Sequence, residues 1–137
     1  MKFTIFILVL ISMSLCEATP FKVKVQGKLL CPTLFFFNVN LWGKDGARTH
    51  VLADLKHRKH YVNATTTYQI EGTTANIKTV KPLLTIEHSC GKNYACVCKE
   101  FGDVRVDFVA SVDIDLENTG LKECSACAEA RKIRGWE

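Results

Sequence analysis

Along most of this chain apolar and polar residues alternate with a period of two, the pattern of strands with one face buried and the other in water. Phe21, Val23, Val25, Leu29 and Cys31 share one face of a first segment, and Lys22, Lys24, Gln26 and Lys28 share the other. Phe35, Phe37, Val39 and Leu41 alternate with Asn38 and Asn40. Residues 65–71 are rich in threonine and place Tyr68 and Ile70 on one side, while Leu84, Ile86 and His88 alternate with Thr85 and Glu87. The longest run puts Val104, Val106, Phe108, Ala110, Val112, Ile114 and Leu116 on even positions. That is long for one strand, and a bend or break is expected near Ala110. Turn signals such as Gly43-Lys44-Asp45-Gly46, Gly91-Lys92-Asn93 and Asn118-Thr119-Gly120 separate the runs. Helical spacing is almost absent; residues 126–133 read as a short helix or a frayed tail. Short strands at this spacing predict an all-β fold, a two-sheet β-sandwich forming one domain.

The N-terminal residues change the picture from fold to compartment. Lys2 precedes an apolar stretch over residues 3–15, followed by small residues at Cys16 and Ala18. This is the order of a secretory signal peptide. Residues 1–18 are expected to be removed, with cleavage after Cys16 as the alternative, and residues 19–137 to form the secreted, extracellular domain. The apolar run is too short to span a bilayer, which takes about 20 residues, and no transmembrane segment is expected.

Of the 7 cysteines, Cys16 leaves with the signal and Cys31, Cys90, Cys96, Cys98, Cys124 and Cys127 remain. An even number in an oxidising compartment reads as three disulfides. Cys96 and Cys98 lie on one face of a strand and cannot comfortably pair with each other. Cys124 and Cys127 pair with each other only in a tight turn. A zinc reading of Cys96, Cys98, Cys124, Cys127 and His88 is the weaker one, because structural zinc sites usually use two CxxC-type knuckles and one is present. No metal and no cofactor are expected.

Three segments carry a family resemblance. Val25-Gln26-Gly27-Lys28-Leu29-Leu30-Cys31, Thr67-Tyr68-Gln69-Ile70-Glu71-Gly72-Thr73 and Lys81-Pro82-Leu83-Leu84-Thr85-Ile86-Glu87-His88-Ser89-Cys90 resemble, in this order, motifs of the nematode transthyretin-like proteins. Asn38-Val39-Asn40-Leu41-Trp42 extends the likeness. The chain departs from the family pattern at Glu87, where tyrosine precedes the histidine in the family, and at Pro32-Thr33-Leu34-Phe35-Phe36-Phe37. The resemblance implies a transthyretin-like (prealbumin-like) sandwich of exported proteins discussed as binding or signalling modules. It also implies that Cys31, Cys90, one of Cys96 or Cys98, and Cys124 form the family's cysteine framework, with the remaining cysteine of the pair joining Cys127.

Candidate chemistry follows. A related hydrolase of 5-hydroxyisourate uses histidines, an arginine and a C-terminal Tyr-Arg-Gly-Ser, whereas this chain reads Arg134-Gly135-Trp136-Glu137. No nucleophile, base and orienting acid are recognisable, and no enzyme activity is expected. The sharpest feature is Lys56-His57-Arg58-Lys59-His60, which concentrates three fixed charges and two histidines. Such a run suits anionic cell-surface lipid or glycan, or an extracellular protein, although charge runs are often only solvated loops. Acidification strengthens it by protonating both histidines. No nucleic-acid partner is expected. Phe35-Phe36-Phe37 is expected to bury Phe35 and Phe37; Phe36 near Trp42 makes an apolar patch only if it is exposed, and a strand buried on both faces, or a dimer seam, is the favoured reading. Asn63-Ala64-Thr65 is a glycosylation sequon, with Asn63 the acceptor. The competing role is carriage of a small apolar ligand in a pocket or at a dimer interface.

Overall fold

The computed structural model describes residues 19–46, 48–54, 60–62, 65–75, 77–91 and 94–127. Ten strands are described: β1 (Lys22–Leu30), β2 (Phe35–Asp45), β3 (Arg48–Asp54), β4 (His60–Val62), β5 (Thr66–Thr73), β6 (Lys81–His88), β7 (Ala95–Glu100), β8 (Phe108–Ser111), β9 (Ile114–Asp115) and β10 (Lys122–Glu123). They form two sheets. A four-stranded sheet has the order β5-β1-β8, with β9 also on β1; a six-stranded sheet has the order β10-β7-β6-β2-β3, with β4 also on β2.

Strand β1 is the hub of the first sheet. It runs antiparallel to β5 and parallel to β8 and β9. The alternation read from the sequence is obeyed: Val23, Val25 and Leu29 are fully buried, with Val39, Leu41, Leu84 and Ile86 of the second sheet in the same core. Each such side chain contributes about 1.5–3 kcal/mol by leaving water. The outward residues Lys24 and Gln26 of β1 face Glu71 and Gln69 across the pair with β5.

The long even-numbered run is interrupted twice rather than once near Ala110. Val104 forms an isolated bridge with Val80, and Val106 is 71 % exposed, against the sequence pattern. The second break falls at Val112 and Asp113, between β8 and β9. Its cause is local. The Tyr68 hydroxyl donates to the Val112 carbonyl at 2.7 Å, and that carbonyl lies where a side chain on Gly27 would begin. Gly27 pairs with Tyr68 in the β1–β5 register. The missing Cβ therefore admits both the inward carbonyl and the hydroxyl that holds it. Burial, reinforced by the charge of Asp113, pushes the Tyr68 phenol above its ordinary range, so it stays a donor at any physiological pH.

The six-stranded sheet is buried on both faces along its middle. Leu84, Ile86 and His88 of β6 face the sandwich core, yet Leu83, Thr85 and Glu87 on the opposite face are buried too. The disulfides explain the second face. Cys31 pairs with Cys90, Cys96 with Cys124, and Cys98 with Cys127. The last two draw the short 3-10 turn Cys124–Ala126 against the sheet, where Cys124 and Cys127 join Trp42, Leu83 and Cys98 in a second apolar cluster. The Trp42 indole N–H donates to Thr85 Oγ1 at 2.9 Å inside that layer. The pairing agrees with the cysteine framework that the resemblance implies, with Cys96 the member of the 96/98 pair that joins Cys124. Of residues 126–133, read as a short helix or a frayed tail, Ala126 ends the 3-10 turn and residues 128–133 lie outside the described residues.

Candidate functional site

Three residues of β4 determine where the candidate site lies. β4 pairs with the start of β2 so that His60 faces Phe37, Tyr61 faces Phe36 and Val62 faces Phe35. Phe37 in turn faces His88 on β6, and His88 faces Ala95 on β7. One cross-strand row thus joins His60, Phe37, His88 and Ala95 at one end of the six-stranded sheet. His60 is the last residue of the basic run; Lys56, His57, Arg58 and Lys59 lie outside the described residues, as does the sequon residue Asn63 one position beyond β4.

The aromatic residues at this end are tied down. Phe35 and Phe37 are buried, their rings 6.0 Å apart, and Phe36 is half-buried. The Phe36 amide donates to Ser89 Oγ at 2.9 Å, and the Ser89 amide donates back to the Phe36 carbonyl at 3.1 Å. The Phe36 ring lies 6.0 Å from that of Tyr94, tilted by 31°, whose side chain is 58 % exposed. The surface aromatic contact is therefore Phe36 with Tyr94. Trp42 sits under the disulfide layer, and a patch of Phe36 with Trp42 does not form. Tyr94 went unremarked in the sequence because it follows a turn and belongs to no alternating run. Leu34, immediately before β2, is 61 % exposed.

His88 is a packed residue of the core, only 2 % exposed. Its Nδ1 accepts the Cys90 amide proton at 3.1 Å. That contact places the ring proton on Nε2, which has no partner among the described residues. Burial pushes the imidazole below its ordinary value of 6.5, because charging it inside the sandwich is costly. The unfolded chain then binds a proton that the native chain resists. Stability is expected to be level above pH about 6.5 and to fall as pH drops below it, until the folded imidazole also protonates. Denaturant midpoints of the protein and of His88→Asn, whose side-chain oxygen can accept the Cys90 amide, check this. The variant should lose that part of the acid sensitivity; identical slopes would exclude His88 as its source.

Beside this row an open cleft of about 680 Å³ is lined by His88, Tyr94, Leu116, Leu121, Glu123 and Ser125 among others. Its walls mix leucines with hydroxyl, imidazole and carboxylate groups. Cys90, Cys96 and Cys124 also line it, all held in disulfides. The nucleophilic sulfur near His88 is therefore consumed by cross-links.

These features define a two-sheet β-sandwich stapled by three disulfides. Residues 26–107, more than half of the chain, match the model of the Transthyretin-like family, and the protein belongs to that family. No match is found among curated proteins.

Proposed function

We propose that this is a secreted, non-catalytic binding module that engages anionic cell-surface groups at the end of the six-stranded sheet where β4 meets β2. The observation that carries the reading is the register of His60 on Phe37. It sets the last residue of the basic run in register with β2, the strand that follows the exposed Leu34 and carries Phe36 against the exposed Tyr94. A basic run that enters a strand of this sheet, together with an exposed leucine and tyrosine among the described residues, suits an interface that offers negative charge and a less polar layer beneath it. The leader-like residues 1–18 and the three disulfides support export.

Binding of the mature protein to anionic liposomes and to heparin across a salt series tests this. Each basic residue near an anionic surface is worth about 1 kcal/mol, so the triple variant Lys56→Gln, Arg58→Gln, Lys59→Gln should bind on the order of 100-fold more weakly at low salt. Wild-type binding should fall steeply as salt rises. Unchanged binding by the triple variant would remove the basic run from the function. Carriage of a small apolar ligand is the second reading, and the cleft beside His88 and Tyr94 is what favours it. Uptake of an apolar fluorophore that ignores salt but is lost in Leu121→Asp would move the function there.

A further inference from the structure

Two neighbouring cross-strand rows build the cleft beside His88. In one, His88 of β6 faces Ala95 of β7; in the other, Ile86 faces Val97, and Val97 faces Glu123 of β10. Opposed residues point to the same side of a sheet, so His88, Ala95, Val97 and Glu123 share one face. Leu116 is tied to the other sheet, its amide donating to the Leu30 carbonyl at 3.0 Å, and Leu121 packs against the core just before β10. Burial is graded along the cleft. His88, Val97 and Leu116 are buried, whereas Tyr94, Glu123 and Ser125 are exposed at its mouth.

The buried end carries a donor without an acceptor. His88 Nδ1 already accepts the Cys90 amide, so the ring proton sits on Nε2, which has no partner among the described residues. A buried donor left unpaired is costly, and this one borders an open space of about 680 Å³. Ala95 opposite it adds only a methyl group, and Val97, Leu116 and Leu121 supply hydrocarbon walls. Among the described residues that line the cleft none is lysine or arginine, and the charged one is Glu123 at the mouth. A carboxylate at the buried end would be stripped of water beside a neutral imidazole, which is unfavourable. A hydroxyl would bring a second proton to a place where Nδ1 is already taken.

We propose, resting on the carrier reading of this cleft, that its ligand is a neutral, largely apolar carbonyl compound whose oxygen accepts the His88 Nε2 proton and whose far end lies toward Glu123. Two strand spacings and one two-residue step separate His88 from Glu123, about 12 Å between Cα atoms. A two-ring aromatic ketone spans that length. The carbonyl supplies the one acceptor the buried end lacks, and its hydrocarbon body covers Ala95 and Val97.

Fluorescence titration of the full mature protein at about pH 8, where the imidazole is neutral, tests this with three naphthalene probes. They are 6-propionyl-2-dimethylaminonaphthalene, its propyl analogue without the oxygen, and 6-dimethylamino-2-naphthoate. The ketone should bind about 10-fold more tightly than the propyl analogue, although it is the less apolar of the two, and more tightly than the naphthoate. Its bound emission should lie to the red of its value in hydrocarbon, as a hydrogen-bonded carbonyl requires. His88→Asn keeps an acceptor for the Cys90 amide but is too short to place the donor, and should bring the ketone and the propyl analogue level. A ketone preference that survives in folded His88→Asn would overturn the proposal. Equal wild-type affinities for the ketone and the propyl analogue, or a preference for the naphthoate, would overturn it and leave the carrier reading standing; these ratios need no variant. Binding of none of the probes would remove both.

Discussion

Removing both tail cross-links by replacing Cys96, Cys98, Cys124 and Cys127 with alanine is expected to cost about 5–6 kcal/mol, whereas removing either one alone costs about 2 kcal/mol. The two bonds are parallel rungs between the same segments, with sequence separations of 28 and 29. While one rung stands, the loop between β7 and the 3-10 turn remains closed, and the other restrains only a few more residues. When both go, the entropy of the whole loop returns to the unfolded chain, and the cover over Trp42 and Leu83 is no longer tethered. Against a typical total of about 5–15 kcal/mol, the quadruple variant should be largely unfolded at 37 °C. Urea titrations of both single-rung variants and the quadruple variant measure the coupling directly. Strictly additive costs would mean that the rungs do not share a loop in the way described.

The second large effect is at Gly27. A glycine inside a strand is ordinarily a weakness, and alanine in its place ordinarily helps. Here Gly27→Ala should instead destabilise the protein by about 4 kcal/mol, because the new methyl group occupies the position of the Val112 carbonyl. Displacing that carbonyl also breaks the partly buried hydrogen bond from Tyr68, whose loss costs about 1–3 kcal/mol. Tyr68→Phe separates the two parts: it keeps the ring, loses the hydroxyl, and should account for the smaller share. A stabilising or neutral Gly27→Ala would mean that the break between β8 and β9 does not depend on this close approach.

Much of the fold was legible because alternation reports one-sided burial, and five of the runs are long enough to show it. β1, β2, β5 and β6 appear in the chain as they do in the sandwich, and the six cysteines read as three disulfides, although which of Cys96 and Cys98 joins Cys124 was not legible. What stayed hidden is burial imposed from a distance. Asn40, Thr85 and Glu87 occupy positions that alternation assigns to water, yet they are 1 %, 4 % and 9 % exposed. Their face is closed by a segment that reaches it through two disulfides, and no local pattern encodes that. Val106 fails in the opposite direction: its even position suggests burial, but the segment between Val104 and Phe108 belongs to neither sheet. The candidate site shows the same division. The basic run is obvious as a string of letters, while its place depends on β4, three residues too short to show a period. Tyr94 becomes relevant only when β2 and the turn after β6 bring it to Phe36.

The hub position of β1 has a consequence for how the molecule is made. All three of its partners come later in the chain, and the last are reached across 85 residues, as between Lys22 and Asp107. Preceding them all, β1 must therefore wait for some 85 further residues before its sheet can close. During that interval Val23, Val25 and Leu29 are exposed on an unpaired strand, a hazard for aggregation. Lys22, Lys24 and Lys28 alternate with these residues and make the waiting strand repel its own kind. The lysine face of β1 thus serves the nascent chain before it serves the finished sandwich.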